Sequence, residues 1–383
     1  MKSEILYLDN AATSFPKPES VYAALNCFLR TDGANPGRAG HRMAVRAERF
    51  IEETRLLLAK LFGIADHTRV IFTLNATDSL NIGIKGSLKP GDHVITSMLE
   101  HNSVSRPLRQ LERDGRIELT QIAFSEEGFV DPADIQKAIR PNTRLIVLTH
   151  ASNVLGTIQP IGEVGRIARE HDLLFMVDAA QTAGVVPIAM EDLQIDMLAL
   201  PGHKALMGPT GVGVLIVGKR ADLPAWREGG TGGDSSNPVQ PVELPYRLEG
   251  GTPNTVGIAG LRAGAEFVLQ QGIERIHQQE NQLLDQLIRG LAENPMAHLY
   301  GSRDLKRRVA TQSLNMTGYT AAETSAILDE TFHIAVRSGL HCAPYVHRQL
   351  GLFPEGAVRV SIGYFNTADD IDCFVAALNE MAA

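Results

Sequence analysis

The sequence predicts an α/β fold: a large domain built on a mainly parallel seven-stranded sheet, followed by a smaller α+β domain at the C-terminal end. Three observations predict it. Seven short apolar or β-branched runs recur between residues 69 and 218. Amphipathic helical patterns separate several of them. Beyond residue 220 the alternation stops. Near-continuous apolar strands spaced by helices are the pattern of a parallel sheet covered on both faces.

The strands in chain order are "RVIFTL" (69–74), "HVITSM" (93–98), "IELTQIAF" (117–124), "RLIVLTH" (144–150), "LLFMVDA" (173–179), "MLALPG" (197–202) and "VGVLIVG" (212–218). Helical periodicity fills "AVRAERFIEETRLLLAKLFG" (44–63) and "IGEVGRIAREH" (161–171). Residues 224–255 are rich in Gly and Pro and read as irregular. One long helical stretch over 256–294 follows, then an α+β tail. The expected large domain spans 16–255, and the expected small domain joins 1–15 to 256–383. At 383 residues the chain exceeds the usual single-domain size.

A net charge of −8 offers no basic stripe for phosphate backbones, which argues against nucleic acid as the main partner. The start "MKSEILYLDNAATSF" has too short an apolar run for a signal-peptide core, and no run approaches a membrane span. The three cysteines, Cys27, Cys342 and Cys373, form neither a disulfide framework nor a zinc spacing. A cytoplasmic protein without a metal is expected.

Chemistry is expected beyond the carboxyl ends of the strands, where an open α/β sheet binds its ligands. In "LNATDSLNIGIKG" (74–86), Ala76, Thr77 and Asp78 open a helix whose free N–H groups suit an anion such as phosphate. An ordinary N-cap explains the same residues. His101 follows the next strand in "SMLEHNSVSRP", and a solvated loop histidine is the plain alternative. Asn153 follows the strand ending at His150, where turn chemistry alone accounts for Asn-x-x-Gly. Asp178 closes an apolar strand, with Gln181 three residues on. A carboxylate there needs a partner or solvent, and a protonated ring nitrogen suits it. His203 and Lys204 end another strand, where partial desolvation lowers an amine's pKa and lets it form a Schiff base. Lys for an aldehyde, Asp for a pyridinium and a helix N-terminus for a phosphate together describe pyridoxal 5′-phosphate.

On these residues the sequence resembles the cysteine desulfurases, which are class V aminotransferase-like enzymes of fold type I that use pyridoxal 5′-phosphate. The resemblance runs through "YLDNAATSFPKP" (7–18), "NPGRAGH" (35–41), "NATDSLN" (75–81), "EHNS" (100–103), "VDAAQ" (177–181), "GHK" (202–204), "GTPN" (251–254), "RSGLHCAP" (337–344) and "RVSIGYFNT" (359–367). It implies that Lys204 carries the cofactor, Asp178 pairs with the ring nitrogen and His101 stacks on the ring. Gln181 reaches the phenolic oxygen, with Asn153 nearby. Thr77, His203 and the backbone at Ala76 hold the phosphate. Thr252 reaches the neighbouring subunit's cofactor, which implies a homodimer. Arg359 clamps the carboxylate of L-cysteine, with Asn10, His41 and Asn153 on the substrate side. A sulfur-acceptor protein is the implied partner.

Cys342 separates a desulfurase from its relatives. Its loop is flanked by His341 and Arg337, and these nearby cationic groups are read as favouring a thiolate. A small buried hydrophobe is the alternative for a free cysteine, and Cys27 and Cys373 are assigned to it. The "SGxHCA" form resembles the group II desulfurases and selenocysteine lyases. Two departures stand out. Pro201 replaces the family's usual Ser or Thr and removes a phosphate donor, and "GGTGGDSS" (229–236) differs from the best-known group II enzymes. Selenocysteine lyase or cysteine sulfinate desulfinase activity, an aminotransferase or lyase with an incidental Cys342, and a non-catalytic scaffold remain alternatives.

Overall fold

The computed structural model describes residues 5–37, 40–232 and 236–382. Arg38 and Ala39 of "NPGRAGH", and Gly233, Asp234 and Ser235 of "GGTGGDSS", lie outside the described residues.

The chain opens with β1 (Leu6–Tyr7), α1 (Glu19–Thr31) and α2 (Arg42–Leu61). The alternating region follows: β2 (Val70–Thr73), α3 (Ala76–Ser87), β3 (Asp92–Ser97), α4 (Asn102–Arg113), β4 (Ile117–Ile122), α5 (Pro132–Lys137), β5 (Thr143–Thr149), α6 (Ile161–Glu170), β6 (Leu174–Asp178), β7 (Met197–Pro201) and β8 (Gly213–Val217). These strands form one seven-stranded sheet in the order β2-β8-β7-β6-β5-β3-β4. Pairing is parallel from β4 through β7, and β8 runs antiparallel to both of its neighbours. The sheet is therefore mixed but mostly parallel.

Alternation of side chains across the sheet creates two apolar layers. Ile95, Ile146, Phe175, Val177, Leu198 and Ile216 pack on one face. Val94, Leu145, Val147, Met176, Met197 and Leu215 pack on the other. Both faces are dry, which explains why these strands read as continuous apolar runs rather than alternating ones.

Beyond the sheet come α7 (Thr255–Gln271) and α8 (Ile273–Gly290). The single helix expected over 256–294 is thus two helices. Gly272 lies between them at φ 86°, a left-handed conformation that glycine adopts without a Cβ clash. The remaining elements are β9 (Ala297–Tyr300), β10 (Thr311–Met316), α9 (Ala321–Phe332), β11 (Ile334–Ala335), β12 (Arg337–Gly339), α10 (Pro344–Gln349), β13 (Ala357–Ser361) and α11 (Ala368–Glu380). Strands β12, β13, β10 and β9 make an antiparallel sheet, and β1 pairs with β11. Leu8 packs with Leu284, Leu314, Val358 and Phe374 in one core, so the first strand's segment shares the apolar interior of the C-terminal elements. No described helix is long and apolar enough to cross a membrane.

Candidate active site

Parallel pairing brings the carboxyl ends of β5, β6 and β7 side by side, with Thr149 opposite Asp178 and Asp178 opposite Ala199. Residues that follow those ends therefore meet in space. Ala76, Thr77, His101, Asn153, Asp178, Gln181, Pro201, His203 and Lys204 line one cavity there. One wall is the N-terminus of α3. Its cap is Asn75, whose side chain accepts from the Asp78 N–H. Gly213 of β8 lets this cap approach the sheet, because a Cβ there would lie 2.4 Å from the Asn75 carbonyl carbon.

Electrostatics of the cavity follow from burial. Asp178 is buried, which raises its pKa, while the Ala180 N–H and the charge of Lys204 oppose the rise. Lys204 is pulled down to about 8 by burial, against the pull of Asp178. Its amine is thus closer to a free nucleophile at neutral pH than an exposed lysine is. His101 caps α4 by accepting the Ser103 N–H at Nδ1, and burial holds it at about 4. It is a neutral imidazole at pH 7. His203 is held at about 4 for the same reason. Thr77 and Ser103 share a hydroxyl hydrogen bond of 2.7 Å. Gln181 Nε2 donates to the Ala11 carbonyl.

The Cys342 loop, from the other end of the chain, is hydrogen-bonded to residues in and next to this region. His341 and Cys342 are both left-handed, at φ 49° and 57°. Such conformations cost non-glycine residues energy and persist where surroundings impose them. Three hydrogen bonds do so here. Asn153 Nδ2 donates to the His341 carbonyl at 2.7 Å, the Asn102 N–H donates to the Cys342 carbonyl at 2.7 Å, and His341 Nε2 donates to the Ala357 carbonyl. Arg337 Nη2 lies 3.6 Å from Cys342 Sγ. The expectation that His341 adds a second positive charge is corrected. Burial holds its pKa down at about 2, so Arg337 is the cation beside the thiol. Cys27 and Cys373 were expected to be buried, but both are exposed, on the outer surfaces of α1 and α11.

Arg359 is 1% exposed and makes two contacts. Nη2 pairs with Asp9 Oδ1 at 2.5 Å, and Nη1 donates to the Asn153 carbonyl. Its Nε is buried without a partner. Asn10 lines an adjoining cavity that also contains Lys204 and Gln181. Two candidates lie elsewhere. His41 is exposed and caps α2 by accepting the Ala44 N–H. Thr252 lines a different cavity, with Asn35, Pro36, Gly37 and the Arg55–Glu249 ion pair.

The aminotransferase class-V family matches residues 6–374. The chain belongs to the class-V aminotransferase family. Among curated relatives, a probable cysteine desulfurase of Pyrococcus abyssi is 35% identical, with 100% of this chain and 95% of the relative covered. Cysteine desulfurase IscS of Dictyoglomus turgidum is 32% identical, with 97% and 93% covered. Among solved structures, the apo cysteine desulfurase of Thermococcus onnurineus NA1 superposes with a TM-score of 0.93 at 35% identity, covering 99% of this chain and 95% of that one. The cysteine desulfurase CsdA of Escherichia coli superposes with a TM-score of 0.87 at 28% identity, covering 99% and 94%.

The residues of this class-V family member fit pyridoxal 5′-phosphate. His203 Nδ1 is buried and unpartnered beside the α3 N-terminus, which is the donor pattern a phosphate would complete. Asp178 and Lys204 share the cavity, so a carboxylate and an amine are both available to one heterocycle. Pro201 lines the same cavity without an N–H to offer. Sequence reasoning missed two acids. Glu100 is fully buried between β3 and β5, accepting from Ser97 Oγ and the Thr149 N–H at Oε1, and burial raises it to about 8. Its signal was its place directly before His101. Asp9 gave no local signal, because its partner Arg359 lies 350 residues away.

Proposed function

We propose that the protein is a pyridoxal 5′-phosphate-dependent L-cysteine desulfurase that yields L-alanine and a persulfide on Cys342. The convergence of Lys204 and Asp178 on one cavity, whose Asn153 is hydrogen-bonded to the loop holding Cys342 beside Arg337, carries this reading. The bound cofactor supplies an electron sink that acidifies the substrate's Cα–H.

The chain's own residues do the rest. The N–H groups at Ala76 and Thr77, the Thr77 hydroxyl and His203 hold the phosphate. Asp178 would pair with the ring nitrogen and keep it protonated, since a buried carboxylate is stabilised by an adjacent cation. His101, a neutral imidazole, would stack on the cofactor's ring, and Gln181 and Asn153, which line the same cavity, would bind its polar groups. Arg359, its fork oriented by Asp9 and the Asn153 carbonyl, takes the substrate carboxylate. Lys204 would hold the cofactor through its amine and would move the proton from the substrate's Cα. Cys342, with Arg337 Nη2 3.6 Å from its Sγ, attacks the substrate sulfur as the nucleophile. An S–S bond forms as the C–S bond breaks, and the carbon fragment takes up a proton to leave as alanine. No external oxidant or reductant is needed, because the electron pair of the broken C–S bond stays with the carbon fragment, which is reduced to the methyl of alanine as the two sulfurs are oxidised to the persulfide.

A homodimer is part of this reading. Exposed Leu29 on α1, Met43, Val45 and Leu56 on α2, and Val239 and Val242 supply apolar surface for a second copy. Thr252 and His41, which do not line their own chain's cavity, would then serve the neighbour's. A sulfur-acceptor protein would take the persulfide, and Cys342 is only partly buried.

The deciding experiment incubates the protein with L-cysteine and measures alanine together with enzyme-bound persulfide. Wild type forms both. Cys342→Ala keeps the yellow absorbance of the lysine-bound cofactor and forms neither. Full cysteine activity in Cys342→Ala, or release of a keto acid in place of alanine, overturns the reading.

A further inference from the structure

The segment Thr13–Lys17 lies across the turn that follows β7 and supplies donors to its backbone. The His203 carbonyl accepts from Thr13 Oγ1 at 3.0 Å, the Ser14 N–H at 3.2 Å and Lys17 Nζ at 2.6 Å. The next carbonyl, of Lys204, accepts from Ser14 Oγ at 2.9 Å and from the Met207 N–H within the turn at 2.8 Å. Lys17 Nζ also donates to Ser14 Oγ at 2.7 Å, so the ammonium, the hydroxyl and the two carbonyls form one connected set. Among the described residues no carboxylate pairs with Lys17, and both of its partners are neutral oxygens. Half-burying a cation without a counter-ion is costly, and burial lowers this amine to about 8. A lysine kept there at that cost, on the carbonyl directly before the cofactor-binding lysine, points beyond surface solubility. The charge-assisted bond is the strongest donor available to that carbonyl.

We propose that Lys17 is a positioning residue for Lys204: through the His203 carbonyl and Ser14 it fixes the backbone from which the Lys204 amine reaches the cofactor and the substrate Cα. This rests on the cofactor-binding role of Lys204 given above. Proton transfer by a tethered amine depends steeply on placement, and a misplacement near 1 Å costs about a hundredfold. Loss of one backbone anchor, with Thr13 and Ser14 remaining, is a smaller displacement.

The test compares Lys17→Met, Lys17→Arg and Ser14→Ala as purified, cofactor-loaded protein. Without substrate, the visible circular dichroism of the bound cofactor reports how the ring sits relative to Lys204. Lys17→Met and Ser14→Ala are expected to change that band, with unchanged cofactor content and Tm, and Lys17→Arg to restore it. With L-cysteine, Lys17→Met is expected to lower kcat about tenfold, the equivalent of one hydrogen bond, with KM unchanged. An unchanged dichroic band with kcat within about twofold overturns the proposal. So does a parallel fall of Tm, cofactor content and activity that arginine does not rescue. The dichroic comparison uses no substrate, so it decides the role of Lys17 even if wild type makes no alanine from cysteine. A wild-type protein that cannot be loaded with the cofactor overturns the role of Lys204 itself.

Discussion

Asp9, itself partly exposed, pairs with the buried Arg359, Oδ1 to Nη2 at 2.5 Å, and joins the segment before α1 to strand β13. The arginine proposed to clamp the substrate carboxylate is thus already held by a carboxylate of its own chain. Asp9→Ala leaves that guanidinium unpaired on one side and free to turn. The expected outcome is a KM for L-cysteine about tenfold higher, the loss of one charge-assisted contact's alignment, with cofactor content unchanged. Steady-state kinetics at fixed cofactor loading checks it. An unchanged KM shows that Arg359 is oriented without Asp9.

Burial lowers Lys204 to about 8 from an ordinary lysine value of 10.5. Only the neutral amine condenses with an aldehyde. Loading of cofactor-free protein is therefore expected to accelerate as pH rises through about 8, rather than through the range of an exposed lysine. The growth of yellow absorbance from pH 6 to 10 measures it. Lys204→Ala shows no such growth.

Arg337 stands 3.6 Å from the Cys342 sulfur with no second cation on the same loop. Arg337→Met is expected to slow alkylation of Cys342 by iodoacetamide about tenfold at neutral pH, the worth of one charge-assisted hydrogen bond. Cys27 and Cys373 are exposed and react as background, so the rate is read by mass spectrometry on the peptide containing Cys342. An equal rate in the variant removes Arg337 from thiol activation.

Glu280 of α8 is buried with no charged partner, and burial raises it to about 8 from 4.5. The folded chain then holds a proton that the unfolded chain has released between about pH 4.5 and 8. Its contribution to stability is present below pH 4.5 and is lost as pH rises through 8. Glu280→Gln is neutral at every pH. The Tm of the variant is expected to match wild type near pH 5 and to exceed it progressively toward pH 8. Thermal melts across that range check the sign, and a constant Tm difference would falsify it.

The sequence by itself determined the sheet and the end of the sheet that carries chemistry. Apolar runs such as those ending at Asp178 and Pro201 have to be buried, and alternation with helices over most of the region favours parallel pairing, so Asp178, Lys204, His101 and the α3 N-terminus come to the same end of the sheet, although no helix lies between β6 and β7. Local patterning could also overreach: it merged α7 and α8, since one glycine barely alters helical periodicity. Only the tertiary structure decided which distant groups share a charge or a proton. Asp9 reaches Arg359, Lys17 reaches the His203 carbonyl, and Arg337 rather than His341 is the cation at Cys342. Those outcomes depend on desolvation and on distances of a few ångströms between segments far apart in the chain, and neither quantity is written in the local order of residues.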